Sequence, residues 1–90
     1  MKLLGIGFGS YVAVEKIVGV FAPDSAPIRR MISDARERGL LIDASFGRST
    51  RSVLLMSSNH VILSSQPSED LCGAVQSGDS AVGGKGGSAQ

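Results

Sequence analysis

Apolar residues come in short β-branched runs before Pro23, recur at helical spacing between Ser25 and Gly39, and return to short runs over residues 40–64. The first run, residues 2–6, stops at Gly7-Phe8-Gly9. Residues 11–14 are β-formers, Glu15-Lys16 interrupts them, and residues 17–22 resume. Short length and β-branching predict strands here rather than a helix. Gly19 inside the last of these runs predicts a bulge or a close backbone approach.

Pro23 ends that strand. Asp24 and Ser25 are good helix N-caps, and Pro27 suits a first helical turn. Ile28, Met31, Ile32 and Ala35 follow at i, i+3, i+4 and i+7, one apolar stripe of an amphipathic helix. Arg30, Asp34 and Arg38 are spaced for i,i+4 pairing. Gly39 suits the left-handed residue that closes a helix, with Leu40 placed to touch Ala35. Residues 40–44 and 52–56 then read as strands joined by the turn-rich residues 46–50, which predicts a hairpin. Ser57-Ser58-Asn59 is a further turn, and residues 60–64 form a last strand. Strands, one helix and a meander predict an α+β fold: a small, mainly antiparallel sheet with one amphipathic helix on a face.

The end of the chain changes character. Half of its 12 glycines lie after Cys72, among Ser, Ala and Gln. Such a tract has too little apolar surface to offset its ordering entropy. The expectation is one folded domain over residues 1–66, a short extension near Leu71, and a flexible Gly/Ser-rich tail over residues 67–90. A domain of that size is marginal alone. Cys72 and His60 are each the only residue of their kind, so neither a disulfide framework nor a zinc cluster supports it. Self-association is the expected support.

The net charge of +1 is unevenly spread. Residues 1–65 hold eight basic and five acidic side chains, a net of +3, and the rest of the chain carries −2. The N-terminal apolar run resembles a secretory signal loosely, but Gly5, Gly7, Gly9 and the Glu15-Lys16 break weigh against one. No apolar run reaches the roughly 18 residues of a membrane span. A lone cysteine fits a reducing cytoplasm.

Catalytic chemistry finds little footing. Gly5-Ile6-Gly7-Phe8-Gly9 has Ser10 where a dinucleotide fingerprint needs its third glycine, and β-formers follow instead of a helix, so a tight turn is the better account. His60 opens an apolar strand with no neighbour to complete a dyad, and fits a capping or sheet-edge role. Cys72 has no basic neighbour to activate it. The expectation is a protein that is not an enzyme and needs no cofactor. The arginines remain. Those of the helix have acidic partners at pairing distance, whereas Arg48, Arg51 and Lys16 do not, apart from Glu15 beside Lys16. Arginine offers a planar fork of donors matched to phosphate and guanine. These three cations are the candidates for polyanion contact, with Arg48 and Arg51 expected on a hairpin tip.

Several segments together resemble the bacterial RemA-like family: Ile6-Gly7-Phe8-Gly9, Ser25-Ala26-Pro27-Ile28-Arg29-Arg30-Met31-Ile32, Asp34-Ala35-Arg36-Glu37-Arg38-Gly39, Leu41-Ile42-Asp43-Ala44 and His60-Val61-Ile62-Leu63-Ser64. The likeness runs from about Lys2 to Gln66. It implies a DNA-binding transcriptional regulator of biofilm and extracellular-matrix genes. It also implies a LytTR-like fold and a closed ring of subunits that carries double-stranded DNA along an arginine-lined outside. The family's DNA-contacting positions match Lys16, Arg48 and Ser49, with Arg51 also basic in the family. Lys16 keeps the charge of the family's arginine, and Ser49 loses it. Such a regulator would work in the cytoplasm, on the nucleoid. The competing expectation is an oligomeric protein-interaction module without DNA binding, which Ser49 favours. RNA is a weaker alternative, since Phe8, Tyr11, Phe21 and Phe46 give few stacking platforms.

Overall fold

The computed structural model describes residues 1–78. In chain order the elements are β1 (Leu3–Gly7), β2 (Ser10–Ala13), a 3-10 turn (Val14–Lys16), β3 (Ile17–Phe21), α1 (Ala26–Arg38), β4 (Leu41–Asp43), β5 (Ser52–Met56), β6 (Val61–Ser64) and α2 (Ser68–Gly78). β1 and β2 form an antiparallel hairpin. The remaining strands form one sheet in the order β3-β5-β6-β4, antiparallel except for the parallel pair β4 and β6. The α+β class and the antiparallel bias therefore hold.

Two expectations about the elements fail. The hairpin between residues 40–44 and 52–56 does not form: β6 lies between β4 and β5. The Arg48 segment is a loop crossing the end of β6, tied to it by Ala44 N–H on Leu63 O (2.9 Å) and Arg51 N–H on Ser64 O (2.8 Å). The physical reason lies in β6, whose four residues are all buried. A run apolar on both faces belongs in the middle of a sheet rather than at its rim. The second failure concerns the tail and the single helix. Residues 68–78 form a second helix instead of flexible chain. Leu71 is buried in the core and Val75 packs against it, so this stretch has an apolar anchor that its glycines obscured. The rest of the expected tail, residues 79–90, lies outside the described residues.

The sheet has a core on each face because its central strands alternate. Val53, Val61 and Leu63 meet Ala35 and the α1 stripe of Ile28, Met31 and Ile32. Leu54, Met56 and Ile62 meet Leu4, Ile6 and Val12 of the hairpin, with Leu71 of α2. Complete burial of a side chain such as Leu54 is worth roughly 1.5–3 kcal/mol. Helix α1 is bounded as its sequence predicts: Ser25 Oγ accepts from Ile28 N–H, and Gly39 adopts φ 73° at the C-terminal cap. Leu40 N–H then reaches Ala35 O at 2.8 Å. The Arg30-Asp34-Arg38 spacing closes no ion pair among the described residues. The β3–β5 register shifts between Ile17 and Gly19, the expected bulge.

Candidate nucleic-acid interface

Three chain segments converge at the Ser64 end of β6. The first is the β1–β2 turn, where Gly7, Phe8 and Gly9 have φ of 106°, 54° and 77°. The flanking glycines accept this left-handed path freely; Phe8 does not. The second is the loop 44–51, where Phe46 (φ 51°) and Gly47 (φ 83°) repeat the pattern. Each phenylalanine held there costs of order 1–3 kcal/mol. The third is Ser65-Gln66. Ser64 ties the three together: its buried hydroxyl donates to Ile6 O at 2.8 Å and accepts from Gln66 N–H at 3.0 Å.

The loop is also fixed from its start. Asp43 Oδ1 accepts from the N–H and the hydroxyl of Ser45, and Ser45 O accepts from Arg48 N–H at 3.1 Å. The Ser45 hydroxyl, then the Ser45 N–H, hold the Asp43 carboxyl below its ordinary range, with Arg36 nearby adding to the effect. The Asp43 carboxylate thus serves the loop backbone.

Phe8, Arg48, Ser49, Arg51, Ser65 and Gln66 line an open cleft of about 660 Å³ at this tip. Arg48, Ser49 and Arg51 are all exposed. Neither arginine forms an ion pair among the described residues. The Arg48 guanidinium carbon lies over the Phe8 ring, 5.4 Å from its centroid. Phe46 meets the same ring edge-on, with centroids 5.5 Å apart and planes at 62°. Among the described residues the cleft thus offers cations without ion-pair partners beside the apolar Phe8 ring, a combination suited to phosphate and base contact.

Lys16 lies elsewhere. It ends the 3-10 turn, where its carbonyl accepts from Ser57 N–H at 2.8 Å. Its neighbour Ile17 pairs with Met56, the last residue of β5, whereas the Arg48 cleft adjoins the opposite end of that strand. At about 3.3 Å per residue the two ends of β5 are roughly 13 Å apart. Lys16 lines an apolar groove of about 430 Å³ with Val12, Ile42, Met56, His60 and Ile62. His60 stands at its rim, with Nδ1 hydrogen-bonded to Ser58 Oγ at 2.7 Å. The fold gathers Arg48, Ser49 and Arg51 into one cleft and leaves Lys16 outside it.

Sequence reasoning did not anticipate Phe8 in this cleft, or Phe46 and Ser64 as its supports. Gly7-Phe8-Gly9 and Phe46-Gly47 carried a signal, since an aromatic residue beside glycine in two separate turns is open to a left-handed pair. Ser64 carried none: its role depends on where β1 ends in space.

Among the described residues no group of three or more His, Cys, Asp or Glu could hold a metal ion, and no helix is long and apolar enough to cross a membrane. The sequence model of the RemA-like family, described as extracellular matrix regulatory protein A-like, matches residues 3–73. That match runs past the expected boundary at residue 66 into α2. A protein named as regulatory from Dictyoglomus turgidum is 48% identical over 79 residues, covering 88% of this chain and 93% of that protein. A Bacillus pumilus protein named likewise is 55% identical over 64 residues, covering 71% and 72%. Extracellular matrix regulatory protein A of Bacillus subtilis is 53% identical over 64 residues, with the same coverage.

Proposed function

Because the chain belongs to the RemA-like family of regulatory proteins, we propose that it is a DNA-binding transcriptional regulator that acts as a closed ring of subunits. It is not an enzyme in this reading, needs no cofactor, and works on double-stranded DNA in the cytoplasm, on the nucleoid. Extracellular-matrix genes are the target class suggested by the name of the B. subtilis relative.

The observation that carries the reading is the exposed Arg48-Ser49-Arg51 loop, whose two guanidinium groups have no acidic partner among the described residues. Arg48 and Arg51 are the primary contacts. Ser49 contributes a hydroxyl where a cation would bind more strongly, and Lys16 adds charge from the far end of β5. A ring supports this division. Head-to-tail contacts that close under rotation present every tip in the same way, and several modest contacts then act through effective concentration. The exposed apolar side chains Leu3, Tyr11, Val18 and Ile42 supply surface for such contacts.

That apolar surface also favours a second reading, an oligomer that binds protein and ignores DNA. Mass measurement of the native assembly with and without a DNA duplex separates the two. The regulator reading expects a multimer that gains the mass of the duplex, and a slower gel shift that Arg48→Ala weakens at low salt while the multimer persists. A multimer that never gains duplex mass selects the interaction module, and a lone protomer defeats both.

A further inference from the structure

The aromatic pair at the tip has no role in the core. Phe8 and Phe46 are 52% and 62% exposed, yet both keep a left-handed backbone that phenylalanine rarely adopts. Phe8 lies under the Arg48 guanidinium, and Phe46 meets Phe8 edge-on. Phe8 comes from the β1–β2 turn, while Phe46 and Arg48 come from the loop 44–51, so the contact bridges two segments far apart in sequence. Gly7 helps to seat it, since its φ of 106° is a conformation that residues with a side chain rarely adopt.

We infer that Phe8 is a positioning residue for DNA contact, holding the Arg48 guanidinium in place over its ring before any duplex arrives. This rests on the proposed DNA-binding function and adds a part to its cleft. An exposed arginine samples many rotamers and loses that freedom on binding. An ion pair would restrain it but occupy its donors. A ring restrains it by cation–π attraction, and because the ring takes no conventional hydrogen bond, all five N–H groups stay available to phosphate or guanine. Phe46 steadies the ring from its edge. Arg51 has no ring under it among the described residues and serves as a less directed cation.

The test is a double-mutant cycle on duplex affinity, using the full chain in its native assembly. Phe8→Leu weakens binding about threefold or more, Phe8→Tyr restores it, and Phe8→Leu adds nothing further once Arg48→Ala is present. Nitrogen relaxation at Arg48 Nε without DNA reads the same restraint independently: ordered in the parent and in Phe8→Tyr, mobile in Phe8→Leu. Unchanged affinity in Phe8→Leu alongside weakened binding in Arg48→Ala overturns the positioning role and leaves the DNA reading intact. Additive losses also overturn it, since they mean that Phe8 touches DNA itself. An equally ordered Arg48 Nε in Phe8→Leu overturns it even if that variant fails to assemble. An Arg48→Ala variant that binds as well as the parent defeats the DNA reading itself.

Discussion

The two ends of β5 hold the same kind of charge in different ways. At the Ser52 end, Arg48 is seated over an aromatic ring on a loop fixed by Asp43, Ser45 and the Ser64 hydroxyl. At the Met56 end, Lys16 borders an apolar groove on a short 3-10 turn. The first end invests strained backbone in aiming a cation. The second leaves a flexible ammonium beside apolar surface. Charge alone would rank these residues as equals; presentation separates them.

The strand that joins the ends is the place to break both together. Leu54 sits at its centre, fully buried, and Leu54→Ala should destabilise the domain by about 2–5 kcal/mol, read as a lower midpoint in denaturant. The tip alone should loosen in Ser64→Ala, which removes the bonds to Ile6 O and from Gln66 N–H. The expected loss is about 1–3 kcal/mol, with faster amide exchange over residues 7–9 and 65–66 and little change around Lys16. Sharpening the contrast requires adding charge. Ser49→Arg should steepen the log–log salt dependence of duplex binding by roughly 0.9 per added phosphate contact, whereas a cation added beside the Lys16 groove at Ser57 should steepen it less.

How much of this was legible beforehand depended on whether a feature was local. Helix α1 could be read to its caps because Ser25, Pro27 and Gly39 act within a turn of where they stand. The interrupted strand at Lys16 and the bulge at Gly19 were equally local. Strand order was not: residues 40–44 and 52–56 look like a hairpin until β6 is seen to have both faces buried. Helix α2 was hidden because glycine and serine dominate its surroundings, and Leu71 anchors it only through contacts with distant strands. At the candidate site, sequence put Arg48 and Arg51 on one turn but could not bring Phe8 to them or set Lys16 apart. Phe8 and Arg48 are forty positions apart, and no spacing rule connects them.

Two smaller effects refine the Ser52 end. The Ser52 hydroxyl is buried with no hydrogen-bond partner among the described residues, so Ser52→Ala should be neutral or stabilising by up to about 1 kcal/mol in a thermal melt. The Asp43 anchor should respond to acid. Its carboxyl is held below the ordinary 3.8, so its contribution is fully present above that pH and fades as pH falls through the lowered value. Following the Ser45 amide resonance with pH should show a transition below 3.8 that is absent in Asp43→Asn, with no change near neutrality from this group.

Amide chemical shifts recorded as duplex DNA is added to the native assembly show which end of the sheet the DNA meets. The largest changes should fall on residues 7–9 and 46–51, with smaller ones near Lys16. Changes confined to the Lys16 groove, or none at low salt, would contradict a DNA-binding tip.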